Sequence, residues 1–383
     1  MRFAIDAHAI GQHLTGNEVY IRNLLDRFVA VDPDAEFIAY LSAEEAARQL
    51  PGRIRHRSVS ANPFVRLGWE LGRKVNAERA ALLHVQYTAP LWCNVPLVVS
   101  VHDVSFLEHP EFFSASRVTQ LQQTVKRTVK KAARVLTVSE FSRAAIERHY
   151  PEARGKTLVT PNAVSATFRP MQRDQARARV QQELGIPSPF LLNVGDLQPR
   201  KNQTGLIRAF EEFVRNNPSQ PHHLVVAGQS KFDGDVVKQA AARSSVASRI
   251  HFTGYVDDTF LRLLYNACEL FVFPSFYEGF GIPILEAMAC GCAVACAKTS
   301  AMPEVADGAA IFFDPRSIAE MARAIQDMVL NPEMRARYER LGPARASAFS
   351  WDRTARQTLD VYYDVAGAHR VSRDSHSIGA AKS

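Results

Sequence analysis

A chain of 383 residues, 46% hydrophobic and 22% charged, carries enough apolar material for two globular cores, which excludes a disordered or fibrous protein. Its net charge of +7 is spread along the sequence, so nucleic acid is not implied, while an anionic substrate or an acidic membrane surface is compatible. No run approaches the ~20 apolar residues that span a bilayer, and MRFAIDAHAI opens as a strand without the long apolar region and cleavage site of a signal peptide.

Apolar runs alternate with helical patterns along the whole chain, the signature of a parallel α/β architecture. In the first half, strands are expected at Arg2–Asp6, Glu36–Leu41, Arg53–Val59, Leu82–Gln86, Leu97–His102, Val135–Ser139 and Thr157–Thr160. Helices are expected near Gly16–Ala30, Ala43–Leu50, Pro63–Ala77, Ser116–Ala133 and Ser139–His149, the last with Ser139 as its N-cap. The alternation breaks at TPNAVSATFRPMQRD, where Pro161 and Pro170 interrupt it.

After the break it restarts, with strands at Phe190–Val194, His223–Ala227, Ile250–Thr253, Leu270–Phe273, Ala293–Ala297 and Ala310–Phe313. Helices fall at Gln203–Asn216, Asp257–Ala267, Ile282–Cys290, Ser317–Leu330 and Pro332–Ala348. A final amphipathic helix starts at Trp351, with Ala355, Leu359, Tyr362 and Tyr363 on its apolar side. The polar tail from about residue 371 to 383 is expected to fray. Two doubly wound domains joined near residue 165 follow. Parallel sheets take ligands beyond the C-terminal ends of their strands, so the expected site is the cleft between the domains.

One stretch concentrates the chemistry. FVFPSFYEGFGIPILEAMACG runs from a strand through a glycine loop into a helix that starts at Ile282, with Pro283 in its first turn. Backbone amides and the helix dipole converge there on an anion. Glu278 and Glu286 flank that point with seven residues between them, and their carboxylates can accept hydrogen bonds from hydroxyls on the bound group. A sugar nucleotide fits, with its diphosphate over the helix, hexose toward Glu278 and ribose toward Glu286. The alternative is a solvated loop glutamate and a surface glutamate. Carboxylates repel a diphosphate, so cations are needed; Arg200 and Lys201, in GDLQPRKNQ after a strand, are the candidates, a solvated turn being the alternative.

His102 at a strand end is read as a hydrogen-bond donor to the sugar or leaving-group oxygen, or else as a loop-capping histidine. GQHLTG lacks the dinucleotide fingerprint; Gly16 either brings its backbone to the ligand or belongs to a plain connecting loop. The Asp32–Pro–Asp34 and Asp233–Gly–Asp235 triplets are read as turn and cap, not as metal sites. Of the five cysteines, the cluster Cys290, Cys292 and Cys296, without nearby His, is read as buried small hydrophobes and not as a metal site, in a reduced, cytoplasmic protein with no disulfide framework. Lys126, Arg127, Lys130, Lys131 and Arg134 form a solvated helix face or a rest for anionic lipid headgroups. Phe64, Trp69, Phe106, Phe112 and Phe113 are assigned mostly to core packing, with an apolar surface for a lipid-linked acceptor as the alternative.

With these residues in place, the chain resembles the retaining family-4 glycosyltransferases of the GT-B fold over nearly its whole length. The likeness is carried in order by TGNEVYIRNLL, VHDVSF with HPEFF, LTVSEFSR, TPNAV, NVGDLQPRKN, VVAG, FTGYV and PSFYEGFGIPILEAMACG. Asp196 departs from it, standing where many relatives place Arg, which leaves Arg200 and Lys201 to carry more of the phosphate contact. The resemblance implies two facing Rossmann-like domains, residues 1–165 binding acceptor and 166–350 binding nucleotide sugar, with the helix from about 351 to 370 crossing back to the first.

Residue by residue, the resemblance puts Glu278 at the donor sugar and Glu286 at the ribose. Arg200 and Lys201 would hold the diphosphate with the amides of Gly279, Phe280, Gly281 and Ile282; His102 would bond the transferred sugar, and Tyr255–Val256 would meet the base. It implies retaining transfer by front-face attack, the leaving phosphate oxygen helping to deprotonate the acceptor, with no separate base identifiable; the basic pair and the helix start are read as doing a metal's electrostatic work, so no metal or cofactor is expected. VHDVSFLEHPEFF and GDLQPRKN look most like mannosyltransferases of bacterial surface polysaccharides. GDP-mannose is therefore the expected donor and a saccharide or lipid-linked saccharide the expected acceptor. UDP- or ADP-hexose, an epimerase, a phosphorylase and a non-catalytic nucleotide-binding module are the alternatives; the missing glycines argue against an oxidoreductase.

Overall fold

The computed structural model describes residues 1–12, 15–230 and 234–367. The first half builds a parallel sheet from β1 (Arg2–Asp6), β2 (Glu36–Leu41), β3 (Arg55–Ser58), β4 (Leu82–Gln86), β5 (Leu97–Ser100), β6 (Arg134–Thr137) and β7 (Thr157–Val159). The second builds another from β8 (Phe190–Val194), β9 (His223–Ala227), β10 (Ile250–Gly254), β11 (Leu270–Phe273), β12 (Val294–Ala297) and β13 (Ile311–Phe313). Their spatial orders are β3-β2-β1-β4-β5-β6-β7 and β10-β9-β8-β11-β12-β13. Strand order therefore reverses between β1 and β4 in one lobe and between β8 and β11 in the other, the points where such sheets open a crevice for ligands.

Most of the strands are apolar on both faces because helices cover both sides. Phe3, Ile5, Phe28 and Phe37 pack on one face of the first sheet, and Ala4, Tyr40, Val99 and Val129 on the other. The helix Trp351–Val365 belongs to the first lobe: Trp351, Ala355, Leu359 and Tyr362 are buried against Tyr20, Leu24 and Phe28. Polar ties fix it. Tyr362 Oη meets His84 Nδ1 at 2.6 Å, Tyr363 donates to Asp32 at 2.6 Å, and Arg134 pairs with Asp364 at 2.7 Å. The Thr354 hydroxyl donates to the Pro161 carbonyl, so the two chain crossings between the lobes lie side by side.

Differences from the expected elements are local. Residues 44–49 form a 3₁₀ turn in place of an α-helix, and no side chain of Ala43 caps it. The helix over residues 63–77 is present but contains one wide turn, Arg66–Glu70, where Leu71 N–H donates to Arg66 O. Strand β5 stops at Ser100, leaving His102 in the loop beyond. The helices Arg173–Leu184 and Met302–Ala306 were not expected; the first buries only Ala176 and Val180, too thin a stripe to read from sequence, while the helix Gly234–Arg243 starts within the triplet read as a loop and helix cap. Asp233 and the tail from residue 371 fall outside the described residues. All five cysteines are free, and Cys290, Cys292 and Cys296 are buried, as expected of small hydrophobes. Among the described residues no helix is long and apolar enough to cross a membrane.

Candidate active site

Strand β11 ends at Phe273, Pro274 prevents its continuation, and the loop reaches Gly281 at φ +96°, a left-handed conformation that favours glycine. The helix Ile282–Ala289 starts there with Pro283 in its first turn. The amides of Gly279, Phe280, Gly281 and Ile282 donate to no acceptor among the described residues, which leaves a cluster of N–H groups at the positive end of the helix. The Phe280 side chain is turned into the core against Phe349, so only its backbone faces the loop.

Glu278 is buried. Its carboxylate meets Arg200 Nη1 at 3.0 Å and Lys201 Nζ at 2.7 Å, and both cations are themselves mostly covered. They are brought there by a 3₁₀ turn, Pro199–Lys201, beyond the end of β8, whose Arg200 carbonyl accepts from Phe276 N–H at 2.9 Å. Burial alone would raise the Glu278 carboxyl, but Arg200 and Lys201 outweigh it and hold it down at about 2. Burial disfavours the Arg200 charge, yet Glu278 and Asp103 raise it further above the ordinary range. Lys201 goes the other way, because burial lowers it more than Glu278 lifts it. The solvated-loop and solvated-turn alternatives are excluded. Glu278 faces both cations, and Asp103 and Asp196 act on them as well, so what an incoming anion would meet is Arg200, Lys201 and the loop amides, once the cations turn from their carboxylates.

Glu286, one helical turn inside, is buried as well and accepts from Tyr265 Oη at 3.0 Å. Burial pushes its carboxyl up to about 8, against the stabilising bond from Tyr265. It is therefore neutral at pH 7 and able both to donate to and to accept from a vicinal diol.

The first lobe closes over this loop. A Cβ on Gly279 would lie 2.5 Å from His102 O and 2.9 Å from Asp103 Cβ, so the two backbones are in direct contact. The Gly279 carbonyl accepts from Ser139 Oγ at 2.7 Å and Ser142 Oγ at 3.2 Å. Ser139 also caps the helix Glu140–His149 as expected. From the second lobe Glu304 accepts the Glu140 and Phe141 amides of that same helix at 2.9 and 3.0 Å. His102 is buried, and burial lowers its pKa to about 4, so it is neutral. Its Nε2 meets Gln86 Oε1 at 2.9 Å, and the ring lies edge-on to Tyr20.

Gly16 and the Tyr255–Val256 turn frame another side. Nothing lies within 4 Å of a Cβ built on Gly16, at the start of the helix Thr15–Val31. Arg22 of that helix meets Asp258 at 3.4 Å, which draws it to the loop after β10. Tyr255 is exposed there and Val256 packs on the core. Thus Glu278, Arg200, Lys201 and the glycine-loop amides converge opposite His102; Glu286 lies one turn deeper, and Gly16, Tyr255 and Val256 stand at the periphery.

Sequence reasoning missed Tyr265, Gln86, Asp103 and Glu304 as parts of the site. Gln86 was detectable as a polar residue closing an apolar strand; Glu304 carried no local signal.

Residues 174–345 match the family described as Glycosyl transferases group 1, and residues 14–168 match Glycosyltransferase Family 4. The O-antigen chain mannosyltransferase B of Escherichia coli is 32% identical over 265 residues, 69% of this chain and 69% of that protein. The D-inositol 3-phosphate glycosyltransferase of Streptomyces avermitilis is 28% identical over 405 residues, 94% of this chain and 85% of that protein. Among solved structures, Anabaena HepE in complex with UDP-glucose shares the fold, with a TM-score of 0.74 at 22% identity over 94% of this chain and 100% of that one.

Proposed function

The chain belongs to the family-4 glycosyltransferases, and from that premise we propose that it moves mannose from GDP-mannose, with retention, onto a saccharide or lipid-linked saccharide during surface polysaccharide synthesis. The observation that carries this reading is the buried Glu278–Arg200–Lys201 cluster beside the helix that starts at Ile282. The diphosphate enters over that helix, and Arg200 and Lys201 turn from Glu278 toward it, releasing the carboxylate to accept sugar hydroxyls. The neutral carboxyl of Glu286 takes the ribose diol. His102, Gly16 and the Tyr255–Val256 turn contact the sugar, the phosphates and the base in that order.

In the transfer, the acceptor oxygen bonds to the anomeric carbon as the bond to the leaving phosphate oxygen breaks on the same face, and the acceptor proton passes to that oxygen. The two cations and the loop amides stabilise the charge that develops, with no separate base and no metal ion needed. Closure of the first lobe over Gly279 keeps water from the oxocarbenium-like sugar. Free thiols support a reducing, cytoplasmic setting for the reaction.

The mannosyltransferase among the relatives favours mannose. The second reading is a UDP-hexose donor, favoured by the UDP-glucose held by HepE. The test is a thermal-shift comparison of GDP, UDP and ADP, followed by turnover of the matching sugar nucleotides with and without acceptor. Stabilisation by GDP and consumption of GDP-mannose are expected. Donor turnover without acceptor, a requirement for inorganic phosphate, or binding without consumption would each replace the proposal by an epimerase, a phosphorylase or a non-catalytic module.

A further inference from the structure

Five of the exposed large apolar side chains gather on two neighbouring segments of the first lobe. Phe64 is 81% exposed, Trp69 55%, Leu91 49% and Trp92 74%, with Val65 beside them. The helix over residues 63–77 faces the core with Leu71 and Val75, both fully buried, while Phe64, Val65 and Trp69 point away. The loop carrying Leu91 and Trp92 is clamped onto that helix. Leu91 N–H donates to Leu67 O at 2.7 Å, and a Cβ on Gly72 would fall 1.7 Å from Trp92 O. The backbone is therefore anchored while the Leu91 and Trp92 side chains are held out beside the helix that carries Phe64 and Trp69, so the apolar groups form one surface and not separate mobile tips.

Cations rim this surface. The Arg73 guanidinium lies 4.9 Å over the Trp69 ring, and Lys131 and Arg127 reach across to the carbonyls of Leu91 and Ala89. Those two come from the helix Ala115–Lys131, whose sequence ASRVTQLQQTVKRTVKK contains no acidic residue and also exposes Lys126 and Lys130. Glu70, next to Trp69 in the chain, is engaged by Lys74 at 2.9 Å and by Ser60 N–H at 2.7 Å.

We propose that this face, Phe64, Trp69, Leu91 and Trp92 with the adjoining basic helix, docks on an anionic lipid bilayer. Protruding indoles suit the interfacial layer, where an apolar body and a polar N–H are both accommodated, and the rim of cations matches acidic headgroups. A protein partner would have to supply both a hydrophobic socket and a dense acidic rim; a bilayer supplies both everywhere. The inference goes beyond the transfer itself and does not depend on which sugar is moved.

The test is co-sedimentation of the full chain with phosphatidylcholine vesicles with and without phosphatidylglycerol. Binding to the anionic vesicles, weakened by salt, is expected, together with a blue shift in tryptophan fluorescence. Of the three tryptophans Trp351 is already buried, so the shift reports Trp69 and Trp92. Phe64→Ser combined with Trp92→Ser lowers vesicle affinity about tenfold or more. Lys126→Glu with Lys130→Glu removes the preference for phosphatidylglycerol, and neither pair changes turnover of a water-soluble acceptor. No binding to anionic vesicles at low salt, or binding untouched by the aromatic substitutions, overturns the inference. So does a dimer in light scattering that those substitutions split while vesicles stay unbound. Vesicle binding that persists in a protein inert toward every sugar nucleotide upholds it and defeats the transfer reading alone.

Discussion

Gly279 of the second lobe rests against the His102 carbonyl of the first so tightly that a methyl group on its α-carbon would lie 2.5 Å from that oxygen. The lobes thus meet backbone to backbone at the loop that bears Glu278, and the Ser139 and Ser142 hydroxyls bind the Gly279 carbonyl at the same point.

Gly279→Ala should prevent that contact while leaving the nucleotide side of the loop in place. Turnover is expected to fall about a hundredfold, as for an ångström-scale misplacement, with nucleotide affinity changed only a few-fold. Steady-state kinetics alongside calorimetry with the nucleotide checks this; unchanged turnover would show that the lobes need not meet here during reaction.

Lys201→Ala removes one of two charges aimed at the diphosphate. Turnover should drop about 10²–10³-fold, the size expected for a preorganised electrostatic contact to a leaving group. The fold should survive, because Arg200 still faces Glu278 and spares the roughly 3–5 kcal/mol cost of an unpaired buried charge. Circular dichroism and rate measurements on one preparation separate the two effects.

Glu278→Gln leaves two buried cations facing each other and should cost about 3–5 kcal/mol near pH 7. The native carboxyl is held at about 2, below its unfolded value, so its contribution is present above the unfolded pKa and fades as pH falls toward 2. Melts of both proteins against pH should therefore converge in acid; a gap that stays constant would contradict the ionised cluster.

The sign is opposite at Glu286. Its carboxyl is held up at about 8, so its contribution is complete below the unfolded carboxylate pKa and is lost as pH rises through 8. Wild-type Tm should decline from about pH 5 to about pH 8 relative to Glu286→Gln, which cannot titrate. Glu286→Ala should weaken nucleotide binding about tenfold through the lost ribose contacts, read by calorimetry.

Chelation provides a separate check. With Arg200 and Lys201 neutralising the diphosphate, EDTA should leave turnover unchanged, and a strict need for Mg²⁺ would overturn the metal-free reaction.

The sheets were legible because most of their strands are buried on both faces and read as unbroken apolar runs, such as LFVF and VACA. Glu278, Arg200 and Lys201 were legible because strand ends announce themselves through Pro274, Gly279 and Gly281. What escaped depends on distant partners. Glu304 caps a helix 164 residues away, and Tyr265 meets Glu286 across 21 residues, with nothing in their own neighbourhoods to signal it. Ser139 was readable as a cap from its local sequence, but its hydrogen bond to Gly279 was not. Phe64 and Trp69 misled in the other direction: apolar type suggested the core, whereas only the packing of Leu71 and Val75 reveals which side of that helix is outside.

Because the final helix is embedded in the first lobe, the second is strung between two linkers, near Pro161 and near Trp351, that touch through Thr354. Paired linkers act as an axle. Any parting of the lobes would turn about the line through those two linkers, and the loop carrying Glu278 would then return to the same register against His102.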